Sequence, residues 1–214
     1  MSSITEWLKR ARVIPVIVID DAAHASSLAE ALASGGLPCA EITLRTAAGI
    51  EAIQRIADAW PDVMVGAGTV LSPEQAERAI NAGATFIVSP GFNPAVVDFC
   101  QERGTPVFPG VCTPTEIEMA LAKGLTTVKF FPAAPMGGIN YLRAIAAPYG
   151  MMQFIPTGGI NSSNIAEYLA FSKVLACGGS WMAPAEWIGA GAFGRIRDET
   201  ARAVQTVAAV GAAA

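Results

Sequence analysis

Short apolar runs alternate with longer segments of helical periodicity along this 214-residue chain, and the alternation repeats eight times. The runs cover residues 13–19, 39–43, 63–67, 85–89, 106–109, 126–131, 153–156 and 174–177. Strands separated by helices cannot pair as hairpins. They pair in parallel, with the helices as crossovers on the outside of the sheet. Several helix starts are explicit. Ser72-Pro73-Glu74, Asn93-Pro94 and Thr113-Pro114-Thr115-Glu116 each put a capping side chain before a proline in the first turn. Asp20 or Asp21 caps an earlier helix whose buried stripe is Leu28, Ala31 and Leu32, and Gly35-Gly36 ends it. Further helices carry Ile50, Ile53 and Ile56, or span about residues 162–169 and 195–209.

Eight such units in one chain of this length predict a single-domain (β/α)₈ barrel over residues 1–214, with an additional N-terminal helix. An open, doubly wound sheet is the alternative. It calls for fewer strands and a glycine-rich loop after the first, where this chain has Asp20-Asp21-Ala22-Ala23. Composition suits a small enclosed fold, with 52% hydrophobic and 15% charged residues. A net charge of −4 without any Lys/Arg cluster argues against a nucleic-acid surface.

The stretch Met1 to Arg12 is broken by Glu6, Lys9 and Arg10, unlike a signal peptide, and no apolar run approaches a membrane span. A cytoplasmic protein with reduced thiols is expected, since Cys39, Cys100, Cys112 and Cys177 are widely spread with no CxxC pair. With His24 as the only histidine, and no acidic cluster at one strand end, neither a metal site nor a cofactor is expected.

The chemistry concentrates in the sixth run. Lys129 lies among apolar residues, and a buried lysine is costly unless it is paired or neutral. Strand alternation puts Thr127, Lys129 and Phe131 on one face and Val128 and Phe130 on the other. The second face must pack on helices, so Lys129 points into the barrel near the C-terminal ends of the strands, where barrel active sites lie. The same alternation turns Cys39, Glu41 and Thr43 inward on strand two, opposite strand six. Glu41 is the only inward carboxylate of the predicted strands. Free of its proton, the amine attacks a ketone and forms an iminium that stabilises a carbanion next to it. Glu41 is then the acid/base, and Arg45 is the cation expected nearby. The competing reading is a structural ion pair. Lys9, Lys123 and Lys173 read as solvated.

Anion sites are the second ingredient. Thr157-Gly158-Gly159 follows strand seven and Gly178-Gly179-Ser180 follows strand eight, the two loops that commonly hold phosphate in barrels. Arg45 offers a fork for a carboxylate or is simply a surface residue, and Thr69 in Gly66-Ala67-Gly68-Thr69 ends strand three with a hydroxyl that can share that carboxylate. Trp181 either covers the phosphate loop or packs in a core or subunit contact. Phe131 flanks a bound keto acid or simply packs.

These stretches, in collinear order over nearly the whole chain, resemble the bacterial 2-keto-3-deoxy-6-phosphogluconate aldolases, which also act as 4-hydroxy-2-oxoglutarate aldolases. The resemblance runs through Glu41-Ile42-Thr43-Leu44-Arg45, Gly66-Ala67-Gly68-Thr69-Val70, Ser89-Pro90-Gly91, Pro109-Gly110-Val111, Lys129-Phe130-Phe131-Pro132-Ala133, Pro156-Thr157-Gly158-Gly159-Ile160 and Gly178-Gly179-Ser180-Trp181. It implies a metal-free, homotrimeric class I aldolase with a TIM-barrel fold, acting on small phosphorylated keto acids in the Entner-Doudoroff pathway. It further implies that Lys129 forms the Schiff base with pyruvate and Glu41 is the general acid/base. By the same resemblance Arg45 and Thr69 hold the carboxylate, Pro90, Phe131 and Thr157 line the channel, and Gly158, Gly159, Gly179 and Ser180 bind phosphate.

Overall fold

The computed structural model describes residues 4–212. All eight predicted strands form, and every pairing is parallel. The first five strands, β1 (Val13–Ile17), β2 (Cys39–Thr43), β3 (Met64–Gly68), β4 (Ile87–Val88) and β5, pair in sequence order. β5 comes in two pieces, Val107–Phe108 and Gly110–Val111, because Pro109 between them has no N–H to give the ladder. Its second piece pairs with β6 (Thr127–Phe130), and β6 with β7 (Gln153–Pro156). β8 (Cys177–Gly179) pairs with β1 and meets β7 through the bridges Phe154–Val174 and Thr157–Gly178. The ring therefore closes and leaves no free sheet edge.

Six strands differ from their sequence-based bounds, β1 and β8 among them. β1 stops at Ile17, where the Thr43 hydroxyl reaches across and donates to the Ile17 carbonyl at 2.7 Å. β8 lies further along than the apolar run 174–177, because Gly178 and Gly179, expected in a loop, pair with Ile14 and Pro15.

The helices are α1 (Ile4–Ala11), α2 (Ala25–Ser34), α3 (Gly49–Ala59), α4 (Pro73–Asn81), α5 (Pro94–Glu102), α6 (Pro114–Ala122), α7 (Gly138–Ala146), α8 (Ile165–Leu169), α9 (Ala185–Gly189) and α10 (Phe193–Ala212). The expected caps operate: Ser72 accepts from Gln75 N, Asn93 accepts from Ala95 N, and Thr113 with Glu116 forms a capping box. Asp21 caps the short 3₁₀ turn Ala22–His24 that leads into α2. α10 completes the outer layer by packing on α2 and α8, with Ile196, Ala203 and Val207 buried. No described helix is long and apolar enough to cross a membrane.

The lumen is filled by Ile14, Cys39, Phe86, Val88, Phe108, Ile155, Leu175 and Ala176, and Ile4 and Leu8 of α1 join the same cluster. The additional N-terminal helix thus closes the barrel at the strands' N-terminal end. That leaves the C-terminal end as the open one. Leu8 is wholly buried in this plug. Leu8→Ala is expected to cost about 2–5 kcal/mol, read as a lower urea midpoint at unchanged slope.

Candidate active site

β2 and β6 stand on opposite sides of the ring, and each turns its third residue inward. Glu41 is 2% exposed and Lys129 6% exposed; among the described residues they are the only buried charged groups. The Lys129 Nζ donates to Glu41 Oε1 at 3.3 Å, across the full width of the barrel. On the outward face of β6, Val128 and Phe130 pack with Ile139, Leu142 and Ile145 of α7, and Phe130 stacks on Tyr141. Burial of these two apolar residues fixes the register that turns the lysine inward. Below the pair, burial and the Glu41 charge push the Cys39 thiol well up, so the layer beneath the amine behaves as apolar filling.

Phe131 connects this pair to the next feature. Its ring centroid lies 5.1 Å from Nζ. On another side the ring backs onto Gly158, where an added Cβ would stand 3.3 Å from it. Gly158 and Gly159 take φ of +98° and +77°, conformations that glycine adopts without strain. The carbonyls of Thr157 and Gly158 accept from Ala133 N and Ala134 N, which laces this loop to the one after β6. Among the described residues, the N–H of Gly159 donates to nothing within the chain, whereas the Thr157–Gly178 bridge turns that of Gly158 toward the Gly178 carbonyl. An unclaimed N–H group on a left-handed residue at the open end of the barrel is suited to an anion. The Thr157–Gly178 bridge sets the loop after β8 alongside, with Ser180 exposed on it. The Trp181 ring occupies the place a Cβ at Gly179 would take.

The other expected residues fall as follows. Pro90 is half-buried, and its carbonyl lies over Gly110, the β5 residue in register with Lys129. Thr157 is buried on the inner face of the C-terminal end. Thr69 is half-buried at the end of β3 with φ of +57°. A β-branched residue in that region is strained by about 1–3 kcal/mol, and such strain gathers at functional sites.

Arg45 is exposed and forms no ion pair with Glu41. The group facing the amine is the expected carboxylate of Glu41. Strand alternation fixes where a short side chain points but not where a long one two residues past the strand ends. Lys9 is exposed as expected. Lys123 and Lys173 are half-buried: Lys123 pairs with Asp98, and the Lys173 ammonium donates to the carbonyls of Ala146 and Tyr149 at the end of α7. Their amines are occupied by structure.

Gly66, inside the expected third strand, and Gly68, one residue past its expected end, both lie within β3 on the face toward the lumen. Alternating glycines inside a strand were the available signal that something else fills their places. Among the described residues no group of three His, Cys, Asp or Glu side chains is placed to hold a metal ion.

A closed parallel barrel, plugged at one end, with a lone buried amine and carboxylate facing each other at the open end, has the layout of a barrel enzyme with a lysine centre. The particular kind follows from comparison. The chain belongs to the KDPG and KHG aldolase family, whose profile matches residues 4–198. It is 51% identical over 211 residues to the 2-dehydro-3-deoxy-phosphogluconate aldolase of Treponema pallidum, covering 99% of both chains. Over 193 residues it is 42% identical to the KHG/KDPG aldolase of Escherichia coli K12, covering 90% of this chain and 91% of that one. Among solved structures it resembles the KDPG aldolase of Legionella pneumophila, captured with pyruvate as a covalent carbinolamine. That match has a TM-score of 0.91 and 39% identity, and it covers 94% of this chain and 98% of the other.

Proposed function

We propose that the protein is a class I aldolase that reversibly cleaves 2-keto-3-deoxy-6-phosphogluconate to pyruvate and glyceraldehyde 3-phosphate, and also cleaves 4-hydroxy-2-oxoglutarate. The observation that carries this reading is the buried Lys129–Glu41 pair at 3.3 Å in a chain of this family. Proton transfer from Nζ to the carboxylate gives a free amine beside a carboxylic acid. The amine attacks the C2 ketone, and a proton moves from nitrogen to oxygen through Glu41 to leave a neutral carbinolamine. Protonation of its hydroxyl by Glu41 expels water and leaves the iminium. Glu41, again a carboxylate, takes the C4 hydroxyl proton. The C3–C4 bond breaks, its electrons pass into the C2–C3 enamine, and the aldehyde departs. Glu41 returns the proton to C3, and hydrolysis of the second iminium frees pyruvate and the lysine ammonium.

In this reading Arg45 and Thr69 hold the substrate carboxylate at the rim, and Pro90, Phe131 and Thr157 line the channel. Gly158, Gly159, Gly179 and Ser180 take the phosphate. The unclaimed N–H of Gly159 supports the phosphate end. The span of Phe131 between amine and loop supports a substrate lying across both. Assembly as a trimer, a cytoplasmic location and a place in the Entner-Doudoroff pathway belong to the same reading, and family membership supports them.

Borohydride reduction in the presence of pyruvate tests the reaction class. A stable adduct is expected, and its absence at saturating pyruvate would rule out an imine mechanism. A second measurement tests the phosphate end. Ser180→Asp puts an anion in the loop and is expected to raise KM for the phosphorylated substrate about 100-fold, because juxtaposed like charges cost several kcal/mol. KM for 4-hydroxy-2-oxoglutarate should stay within about threefold. Equal changes for both substrates would place the phosphate elsewhere.

A further inference from the structure

Glu41 has Lys129 as its only hydrogen-bond partner among the described residues. A carboxylate that moves protons at several atoms in turn is ordinarily held by neighbouring donors. Here packing does the holding, and the neighbour that matters is Gly68 on the adjacent strand. β3 runs in register with β2, with Gly66 beside Glu41 and Gly68 beside Thr43. A Cβ built on Gly68 would overlap Glu41 Oε1 outright and stand 2.8 Å from its Cγ and 2.9 Å from its Cδ. The three nearest atoms all belong to Glu41. Oε1 is also the oxygen that accepts from Nζ. Gly66 serves a different purpose, since the Phe86 ring of the lumen fills its vacant side-chain position.

We propose that Gly68 is a positioning residue for the proposed aldol chemistry: its missing side chain is the space in which the Glu41 carboxylate stands opposite the Lys129 amine. The inference rests on the aldolase reading for its catalytic consequence and on packing alone for its physical basis. A methyl group at position 68 drives the carboxylate from its slot while leaving Lys129, on the far side of the barrel, untouched. A displacement of about 1 Å at a reacting group can cost about 100-fold in rate. Imine formation at equilibrium needs only the amine, whereas cleavage and proton exchange at the pyruvate methyl need the carboxylate in place.

The test is Gly68→Ala, read three ways. In the variant, kcat and the rate of deuterium uptake into the pyruvate methyl group in heavy water are expected to fall about 100-fold. KM should change by less than about threefold, and borohydride trapping of pyruvate should reach the endpoint of the unmodified protein. Exchange within about threefold of the unmodified rate would overturn the proposal, as would losses of exchange and trapping in equal proportion. The third reading needs no activity. The fall in thermal midpoint caused by Gly68→Ala is expected to shrink by at least half when Glu41 is already alanine. An equal fall in both backgrounds means the methyl group meets something other than Glu41, and overturns the proposal. If Gly68→Ala alone does not fold, the pair Glu41→Ala and Glu41→Ala/Gly68→Ala decides: folding of the double variant supports the slot, and its failure contradicts it. An unmodified protein that traps no pyruvate defeats the aldolase reading instead, and the stability comparison still judges the slot.

Discussion

Lys129→Ala is expected to abolish aldol cleavage, with a loss in kcat on the order of 10⁵-fold, because no other amine of the described structure is buried at the open end of the barrel. The variant should remain folded by circular dichroism but with a lower thermal midpoint. Removing one partner of a buried pair typically costs about 3–5 kcal/mol, since the remaining group has lost its counterion. Lys129→Met fills more of the vacated volume and should recover part of that stability with none of the activity. This contrast separates a chemical role from a structural one. A structural ion pair would leave turnover in proportion to the folded fraction. Residual cleavage within about 100-fold of the unmodified rate would mean that the amine is not the nucleophile.

Glu41→Gln is the second large effect and has a different signature. It keeps the shape of the side chain and removes the group that exchanges protons. A drop in kcat of about 10²–10⁴-fold is expected. Borohydride trapping of pyruvate should become slower but still go to completion, since the amine survives. Loss of trapping altogether would assign Glu41 to holding the lysine in place. Unchanged turnover would hand the proton transfers to another group, and the described strands offer no other carboxylate.

The barrel was legible because its strands are short, apolar and separated by helices with explicit starts. Cys39–Thr43 and Gln153–Pro156 form over the residues that periodicity indicates. The central pair was legible for a related reason: a lysine and a glutamate in apolar strands stand out, and alternation tells which way each points. The glycines hid the rest. Gly178 and Gly179 read as a loop and are in fact β8, and Gly68 lay past the expected end of the third strand and is in fact the last residue of β3. A glycine has no side chain to register in a hydrophobic pattern. Its meaning lies in what comes close to it, here Thr157, Phe86 and Glu41, all distant in sequence, and Trp181 two residues on. α7 and α9 were hidden too. α7 begins at Gly137 and Gly138 with φ of +105° and +66°, residues that ordinarily mark a helix end. For Arg45 the position was clear and the reach of its long side chain was not.

The most direct measurement is peptide mapping by mass spectrometry of the unmodified protein after borohydride treatment with pyruvate. The account predicts one reduced three-carbon adduct, on the peptide that contains Lys129, and none when pyruvate is omitted. An adduct on Lys9, Lys123 or Lys173 instead, or no adduct on any lysine while cleavage continues, would contradict it.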